Sequence, residues 1–382
     1  MKITIRPAFG GDVFELDAEQ TWTLAHLERA LPLHLRSDAT RAITWMLRDK
    51  VIRSDPHALL TNLGIEENAV IDLVRSQRSF IVTTHGRGAE VRDAATGECC
   101  LTLAGHEAAV FSAAYSRDGA SIVTASADGS AKVWDAATGV CRLTIAASRF
   151  IVISAAYSPD GASIVTASGH RSATVWDAAT GECRLTLAGH RDAYGGGSIV
   201  TATYSPDGAS IVTASRDGSA KVWNAATGVC RLTIAGHEEA LSSAAYSPDG
   251  ASIVTASEDR SAKVWAAATG ECRLMLAGHG GRVYSAAYSP DGASIVTASR
   301  DGSAKVWDAA TGECRLTIGP TGPLSSAAYS PDGASIVTAA FYDAAKVWDA
   351  ATGKCRSTVL PSVISAAFQQ HFTGLRFRNL KE

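Results

Sequence analysis

Short runs of β-branched and apolar residues alternate with turn residues from about residue 79 to the end of the chain. Within one representative stretch the runs are residues 110–115, 121–125, 130–134 and 141–145. Three pairs that tolerate positive φ in tight turns separate them: Asp118-Gly119, Asp128-Gly129 and Thr138-Gly139. This pattern predicts an antiparallel meander of four strands.

The same pattern returns about every 42 residues. Tyr115, Tyr157, Tyr204, Tyr246, Tyr288 and Tyr329 advance in steps of 42, 47, 42, 42 and 41. The third run ends in Trp-Asp in four of six complete units, and Gly-His follows the fourth run in several. These features resemble the WD-repeat family, whose units form the blades of β-propellers.

The two ends of the repeat region complement each other. Six complete units run from about residue 110 to 359, and residues 79–106 supply the second, third and fourth strands of another. The missing first strand is predicted at residues 363–368, which repeat the Val-x-Ser-Ala-Ala-Tyr pattern. Pairing the two ends removes an open sheet edge, so we expect seven blades.

The first 75 residues follow another pattern. Strands are expected at residues 2–6, 13–16, 41–47 and 70–74, with a helix after Thr23 that carries an apolar stripe of Leu24, Leu27 and Leu31. Their order and length resemble ubiquitin-like domains. The expected fold is therefore mainly β: a ubiquitin-like α+β domain at 1–75, a linker at 76–78, the seven-bladed WD-repeat propeller at 79–370 and a tail at 371–382.

The amino-acid composition limits the kinds of partner that we expect. The net charge of −3 gives no general attraction to nucleic acid, and no run approaches the roughly 18 apolar residues of a membrane span. Six of eight cysteines occupy equivalent repeat positions, too far apart for disulfides. We therefore expect the cysteines to be free thiols. We also expect a cytoplasmic protein, with the nucleus as the alternative, that is a monomer and binds neither a cofactor nor a metal.

Four units contain His, Thr, Asp and Trp at matched spacings. A hydroxyl, an imidazole and a carboxylate could be read as a nucleophile, base and orienting group. The family resemblance instead implies a buried structural hydrogen-bond chain, and a fourfold constellation is unlike a single active site. The residues are His106, Thr124, Asp128, Trp134; His190, Thr213, Asp217, Trp223; His237, Thr255, Asp259, Trp265; and His279, Thr297, Asp301, Trp307.

The nearly identical units differ in two places each, the segment before the first strand and the turn between the second and third strands. In a meander both places lie at one end of the strands, so one face should carry specificity. Its arginines and aromatic residues are typical of binding surfaces. The candidate partner residues are Phe111, Arg149, Phe150, Arg191, Tyr194, Arg216, Glu258, Arg282, Tyr284, Arg300, Phe341 and Tyr342.

Three functions follow as hypotheses. The first is a non-catalytic scaffold that binds a protein or peptide through this variable face. The second is an adaptor in the ubiquitin-proteasome system that uses the N-terminal domain. The third is an enzyme with a site in the central channel of the propeller, for which the sequence offers no catalytic motif.

Overall fold

The chain forms two compact units, one on each side of the boundary between Gln77 and Phe80. The structure is a computed structural model. It describes residues 2–7, 14–19, 22–31, 41–47, 50–51, 59–60, 65, 69–77, 80–190, 197–319, 322–341, 343–359 and 365–368.

The N-terminal unit is a mixed sheet with one helix among its described residues. Its elements are β1 (Lys2–Pro7), β2 (Phe14–Asp17), α1 (Leu24–Ala30), β3 (Arg41–Leu47), β4 (Lys50–Val51) and β5 (Ala69–Gln77). The sheet order is β2-β1-β5-β3-β4, with β1 and β5 parallel and the other pairs antiparallel. Ile3 and Ile5 of β1 are buried, as are Leu27 of α1 and Leu31 directly after it, so these two leucines of the predicted apolar stripe belong to the core of this unit.

The last strand of this unit is longer than the sequence predicts. β5 continues through Ser76 to Gln77, two residues that the sequence assigns to a linker. Both residues pair with the start of β3, because Arg41 lies opposite Gln77 and Ala42 opposite Ser76.

The second unit contains seven four-stranded sheets in its described residues, which we call blades 1 to 6 and the closing blade. Blade 1 is β9–β12 (Val110–Tyr115, Ser121–Ser126, Ala131–Asp135, Cys141–Ile145), and blade 2 is β13–β16 (Val152–Tyr157, Ser163–Ser168, Ser172–Asp177, Cys183–Ala188). Blade 3 is β17–β20 (Ile199–Tyr204, Ser210–Ser215, Ser219–Asn224, Cys230–Ala235), and blade 4 is β21–β24 (Leu241–Tyr246, Ser252–Ser257, Ser261–Ala266, Cys272–Ala277). Blade 5 is β25–β28 (Val283–Tyr288, Ser294–Ser299, Ala304–Asp308, Cys314–Ile318), and blade 6 is β29–β32 (Leu324–Tyr329, Ser335–Ala340, Asp343–Asp349, Cys355–Val359). The closing blade is β33 (Ser365–Phe368) with β6 (Phe80–His85), β7 (Gly88–Asp93) and β8 (Cys99–Ala104).

The pattern of each strand follows its place in the blade. The second strand, such as Ser163–Ser168, is buried along its whole length because both faces of the sheet pack against neighbouring blades. The fourth strand, such as Cys183–Ala188, is the outer edge and is mostly exposed. All eight cysteines lie on fourth strands as exposed free thiols.

The blades form a closed ring, which confirms the predicted seven-bladed propeller. Each first strand contacts the first strand of the next blade, and β33 contacts both β29 and β9. Side chains also connect these strands, since the amide of Ala327 donates to Ser285 Oγ at 3.0 Å and that of Ala366 to Ser326 Oγ at 3.4 Å. β33 pairs antiparallel with β6, from Ser365 opposite Thr84 to Phe368 opposite Ile81. Residues 363 and 364 of the predicted strand lie outside the described residues.

The closing blade departs from the other six at the tryptophan position. Arg92 stands there, 4% exposed, and its guanidinium donates to the carbonyl of Gly97 at 2.8 Å and to the carboxylate of Glu90. His85 Nε2 lies 3.3 Å from the same carboxylate. A polar cluster within the closing blade therefore stands at the position where the other blades have an indole.

Candidate partner-binding face

The variable segments meet at one end of the propeller, which we call the loop face. Its described parts are the connectors between blades (105–109, 146–151, 189–190 with 197–198, 236–240, 278–282, 319 with 322–323) and the turns between second and third strands (127–130, 169–171, 216–218, 258–260, 300–303, 341). In every one of blades 1 to 6 the first residue of the turn donates its backbone N–H to a connector carbonyl, at 2.8 to 3.0 Å. The six pairs are Ala127 to Ala109, Gly169 to Ile151, Arg216 to Ser198, Glu258 to Ala240, Arg300 to Arg282 and Phe341 to Pro323.

A buried hydrogen-bond chain ties turn to connector in four blades. In blade 1 the Trp134 indole N–H donates to Thr124 Oγ1 at 2.8 Å, and His106 Nε2 lies 2.7 Å from that hydroxyl. His106 Nδ1 lies 2.8 Å from the Asp128 carboxylate. Because the carboxylate can only accept, Nδ1 carries the proton and the threonine hydroxyl donates to Nε2.

Three other blades repeat this arrangement with nearly equal distances. The His-to-Asp distances are 3.0, 2.7 and 2.9 Å, the His-to-Thr distances 2.7, 2.8 and 2.7 Å, and each Trp-to-Thr distance is 2.8 Å. The sets are His190, Thr213, Asp217, Trp223; His237, Thr255, Asp259, Trp265; and His279, Thr297, Asp301, Trp307.

In three of these chains, those of His106, His237 and His279, the electrostatics favour a neutral histidine beside an ionised aspartate. Burial lowers the pKa of His106, His237 and His279, and the hydrogen bond to the aspartate only partly opposes it. Burial raises the pKa of Asp301, but hydrogen bonds from Ser303 and His279 outweigh it and bring that pKa to about 2. Each chain is therefore a satisfied polar connection.

The same geometry argues against a nucleophilic role. Thr124, Thr213, Thr255 and Thr297 are completely buried, with no exposed surface. Each hydroxyl is also enclosed between an imidazole and an indole. A substrate carbonyl cannot reach an oxygen placed in this way, because attack requires contact at about 3 Å.

Blade 2 has lost the chain at both polar positions. The hydrogen bond from Trp176 to Thr166 remains at 2.9 Å, but Ser148 and His170 stand where blades 1, 3, 4 and 5 have His and Asp. Ser148 Oγ bonds Ser168 Oγ at 2.9 Å. His170 is exposed and stacks on Phe150, with ring centroids 4.6 Å apart and planes 10° apart.

The described candidate partner residues of the loop face differ in exposure and in their contacts. Arg149, Phe150, Arg216 and Arg300 are exposed, and Phe111 is half-buried at the start of β9. Arg282 pairs with Glu258 across two blades at 2.7 Å. Tyr284 meets Phe341 edge to face at 5.3 Å. Arg191, Tyr194 and Tyr342 lie outside the described residues.

Sequence comparison of the repeats missed two contributors to this face. Ile151 is 41% exposed and lies beside Phe150, which is 51% exposed. Blade 1 has alanine at both equivalent positions. His170 lies in a variable turn but is not among the candidate partner residues, and its ring stack on Phe150 follows from the connector folding back over the turn.

The opposite end of the propeller is uniform. A cavity of about 510 Å³ lies there between blades 5 and 6, lined by constant-turn residues such as Pro290, Asp291, Tyr329 and Asp332, with Arg315. The same residue types recur at the equivalent positions of blades 4 and 5. Its lining therefore does not distinguish one pair of blades from the next.

Within the described residues no group of three or more His, Cys, Asp or Glu side chains converges as metal ligands. None of the helices in the described chain combines the length and apolar character needed to cross a membrane.

Comparison with known proteins gives one family. The model of the family described as "WD domain, G-beta repeat" matches residues 97–135, 139–177, 181–224, 228–266, 270–308 and 312–349, more than half of the chain. Each matched segment begins next to the fourth strand of one blade and ends in or directly after the third strand of the next. No curated protein matches the chain.

Proposed function

The chain belongs to the WD domain, G-beta repeat family, and from that premise we propose that it is a non-catalytic scaffold that binds a protein or peptide through its loop face. Propellers of this family are typical protein-interaction platforms. The observation that supports the loop face is the concentration of differences between otherwise copied units at this end. Exposed arginines and aromatic rings, which are enriched at binding hot spots, occur among those differences.

The loop face also has the rigidity that a binding surface needs. Its connectors are bonded to its turns in each of blades 1 to 6, and four buried histidine chains reinforce this bonding. A preorganised surface loses less conformational entropy on binding. The free exposed thiols support a cytoplasmic or nuclear location.

Proximity labelling in cells followed by mass spectrometry tests the proposal. The full chain is compared with Arg282→Ala/Tyr284→Ala and with the control Val229→Ala/Arg231→Ala, which changes an exposed apolar residue and an exposed arginine near the opposite end. We expect the loop-face variant to lose specific neighbours that the control retains. Equal labelling by all three proteins would contradict binding through these residues.

The sheet order of the N-terminal unit supports a second candidate, an adaptor in the ubiquitin-proteasome system. The order β2-β1-β5-β3-β4, with one helix after the first hairpin, is the order of ubiquitin-like domains. We propose residues 1–75 as such a domain. Binding of purified proteasome by the full chain, lost on removal of residues 1–77, would support this role, and equal binding by both proteins would remove it.

A further inference from the structure

Blade 2 displays apolar and basic side chains together on the loop face. We call Arg149, Phe150, Ile151, His170, Arg171 and Arg216 the blade 2 patch, with Arg216 contributed by blade 3. All six are exposed, Phe150 at 51% and Ile151 at 41%. Neighbouring large apolar side chains at such exposure are characteristic of surfaces that another molecule covers.

The backbone under the patch is held at three points. The Ser148 amide donates to the Gly129 carbonyl of blade 1 at 3.0 Å, and the Phe150 amide donates to Ser148 Oγ at 3.0 Å. The Gly169 amide then donates to the Ile151 carbonyl at 2.9 Å. The connector therefore presents Arg149, Phe150 and Ile151 from a fixed position.

The patch continues onto blade 3 through one serine. Ser198 Oγ donates to the Gly169 carbonyl at 2.7 Å, and the Ser198 carbonyl accepts from the Arg216 amide at 2.9 Å. Two hydrogen bonds through Ser198 thus connect the turn that carries Arg171 to Arg216.

The three arginines of the patch have no carboxylate partner among the described residues. No described carboxylate lies within ion-pair distance of Arg149, Arg171 or Arg216, whereas Arg282 on the same face pairs with Glu258 at 2.7 Å. The outer-edge arginines Arg142 and Arg315 are paired as well. An unpaired guanidinium retains its full capacity for a bidentate bond to a carboxylate.

The extent of the basic surface favours a short ligand over nucleic acid. Glu107 precedes blade 1, and Glu238, Glu239 and Glu258 lie on the loop face around blade 4, so acidic groups stand on both sides of the patch. The whole chain carries a net charge of −3. Nucleic acid binding normally uses a continuous basic stripe, which these carboxylates interrupt.

We infer that the blade 2 patch binds an acidic peptide segment that also presents an apolar side chain. Carboxylates of the segment pair with Arg149, Arg171 and Arg216, and its apolar side chain covers Phe150 and Ile151. This inference rests on the proposed function, since it names the partner class for one part of the loop face.

Selection of displayed random peptides on the full chain tests the inference. The enriched peptides are measured by fluorescence anisotropy against wild type, Arg149→Glu/Arg171→Glu/Arg216→Glu and Phe150→Ser. The matched control is Arg117→Glu/Arg231→Glu/Lys354→Glu, three exposed cations away from the loop face. Thermal unfolding of each variant verifies that it is folded.

We expect enriched peptides with net negative charge and an apolar residue. The loop-face charge reversal should raise the Kd of these peptides about tenfold or more, and Phe150→Ser should raise it several-fold. The control should leave the Kd within about twofold of the wild-type value. The absence of enriched acidic peptides, or equal affinity for wild type and the loop-face reversal, would overturn the inference. Tighter binding of an oligouridine RNA than of the peptides, dependent on the same arginines, would assign the patch to nucleic acid instead.

The same anisotropy measurement, extended to Arg282→Ala/Tyr284→Ala, separates this inference from the proposed function. Peptides that lose affinity for Arg282→Ala/Tyr284→Ala but not for the blade 2 variants would leave the loop face as the binding surface and place the ligand elsewhere on it. Peptides insensitive to both sets of variants would contradict both proposals.

Discussion

The histidine of each buried chain has a partner on both sides of its ring. His279 Nδ1 lies 2.9 Å from Asp301 and Nε2 lies 2.7 Å from Thr297. Replacing His279 with alanine leaves both partners without this bond, at a cost of about 1–3 kcal/mol for each unsatisfied buried group. Urea unfolding should show this loss, whereas the exposed His170→Ala should change the unfolding free energy by about 0.5 kcal/mol or less. Equal effects of the two substitutions would mean that the chain contributes no stability.

The lowered histidine pKa values make stability depend on pH. Burial lowers the pKa of His106, His237 and His279 below 6.5, so the unfolded state binds more protons than the folded state in acid. Their contribution is present above 6.5 and is lost as the pH falls from there towards the folded pKa values. The melting temperature should fall between about pH 7 and about pH 5, less steeply in His279→Gln, which lacks one titrating ring. Parallel pH curves for the two proteins would contradict this assignment.

At the scale of elements, one glycine lets two blades approach each other. Gly129 has φ of +83°, and a Cβ there would overlap the Ser148 carbonyl oxygen, which belongs to the connector before blade 2. Gly161 has a similar φ of +74° but open space around it. Gly129→Ala should therefore lower the unfolding free energy by roughly 1–3 kcal/mol more than Gly161→Ala, because it adds a clash to the shared backbone strain. Equal losses of unfolding free energy for the two variants in urea would show that the connector moves to accommodate the new Cβ without an energetic cost.

The closing strand is the element on which the ring depends most. β33 covers the inner edge of β6, and Ala366 bonds to Ser326 of blade 6. Deleting residues 362–382 exposes that edge and should abolish cooperative thermal unfolding or cause aggregation. A chain ending at residue 370 keeps the strand and serves as the control. Unchanged unfolding of the shorter chain would contradict the split closing blade.

Periodicity explains why these elements could be predicted. Turn glycines, buried second strands and the His-Thr-Asp-Trp chains recur at fixed spacing, so the sequence locates them without coordinates. Contacts between residues of different units have no such signal. The pair of Glu258 with Arg282 and the stack of Phe150 on His170 depend on how each connector folds over a turn. The sequence Val91-Arg92-Asp93 shows that Arg92 occupies the position of the tryptophan in other blades. It does not show that the Arg92 side chain bonds to Glu90 and Gly97.

At the scale of the second unit, the propeller has one uniform end and one varied end. The Ser-Pro-Asp-Gly turns repeat almost unchanged, whereas the loop face combines arginines, aromatic rings and carboxylates in different proportions over each blade. A ring of copied blades thus serves as a rigid support for one non-repeating surface. We therefore expect partner binding on the loop face and not at the constant turns.

Hydrogen–deuterium exchange of the full chain, with and without a partner recovered by proximity labelling, tests this claim most directly. We expect slower exchange in the connectors and turns of the loop face, above all in residues 148–151 and 169–171. We expect unchanged exchange in constant turns such as residues 158–161. Protection confined to the constant turns would contradict the claim.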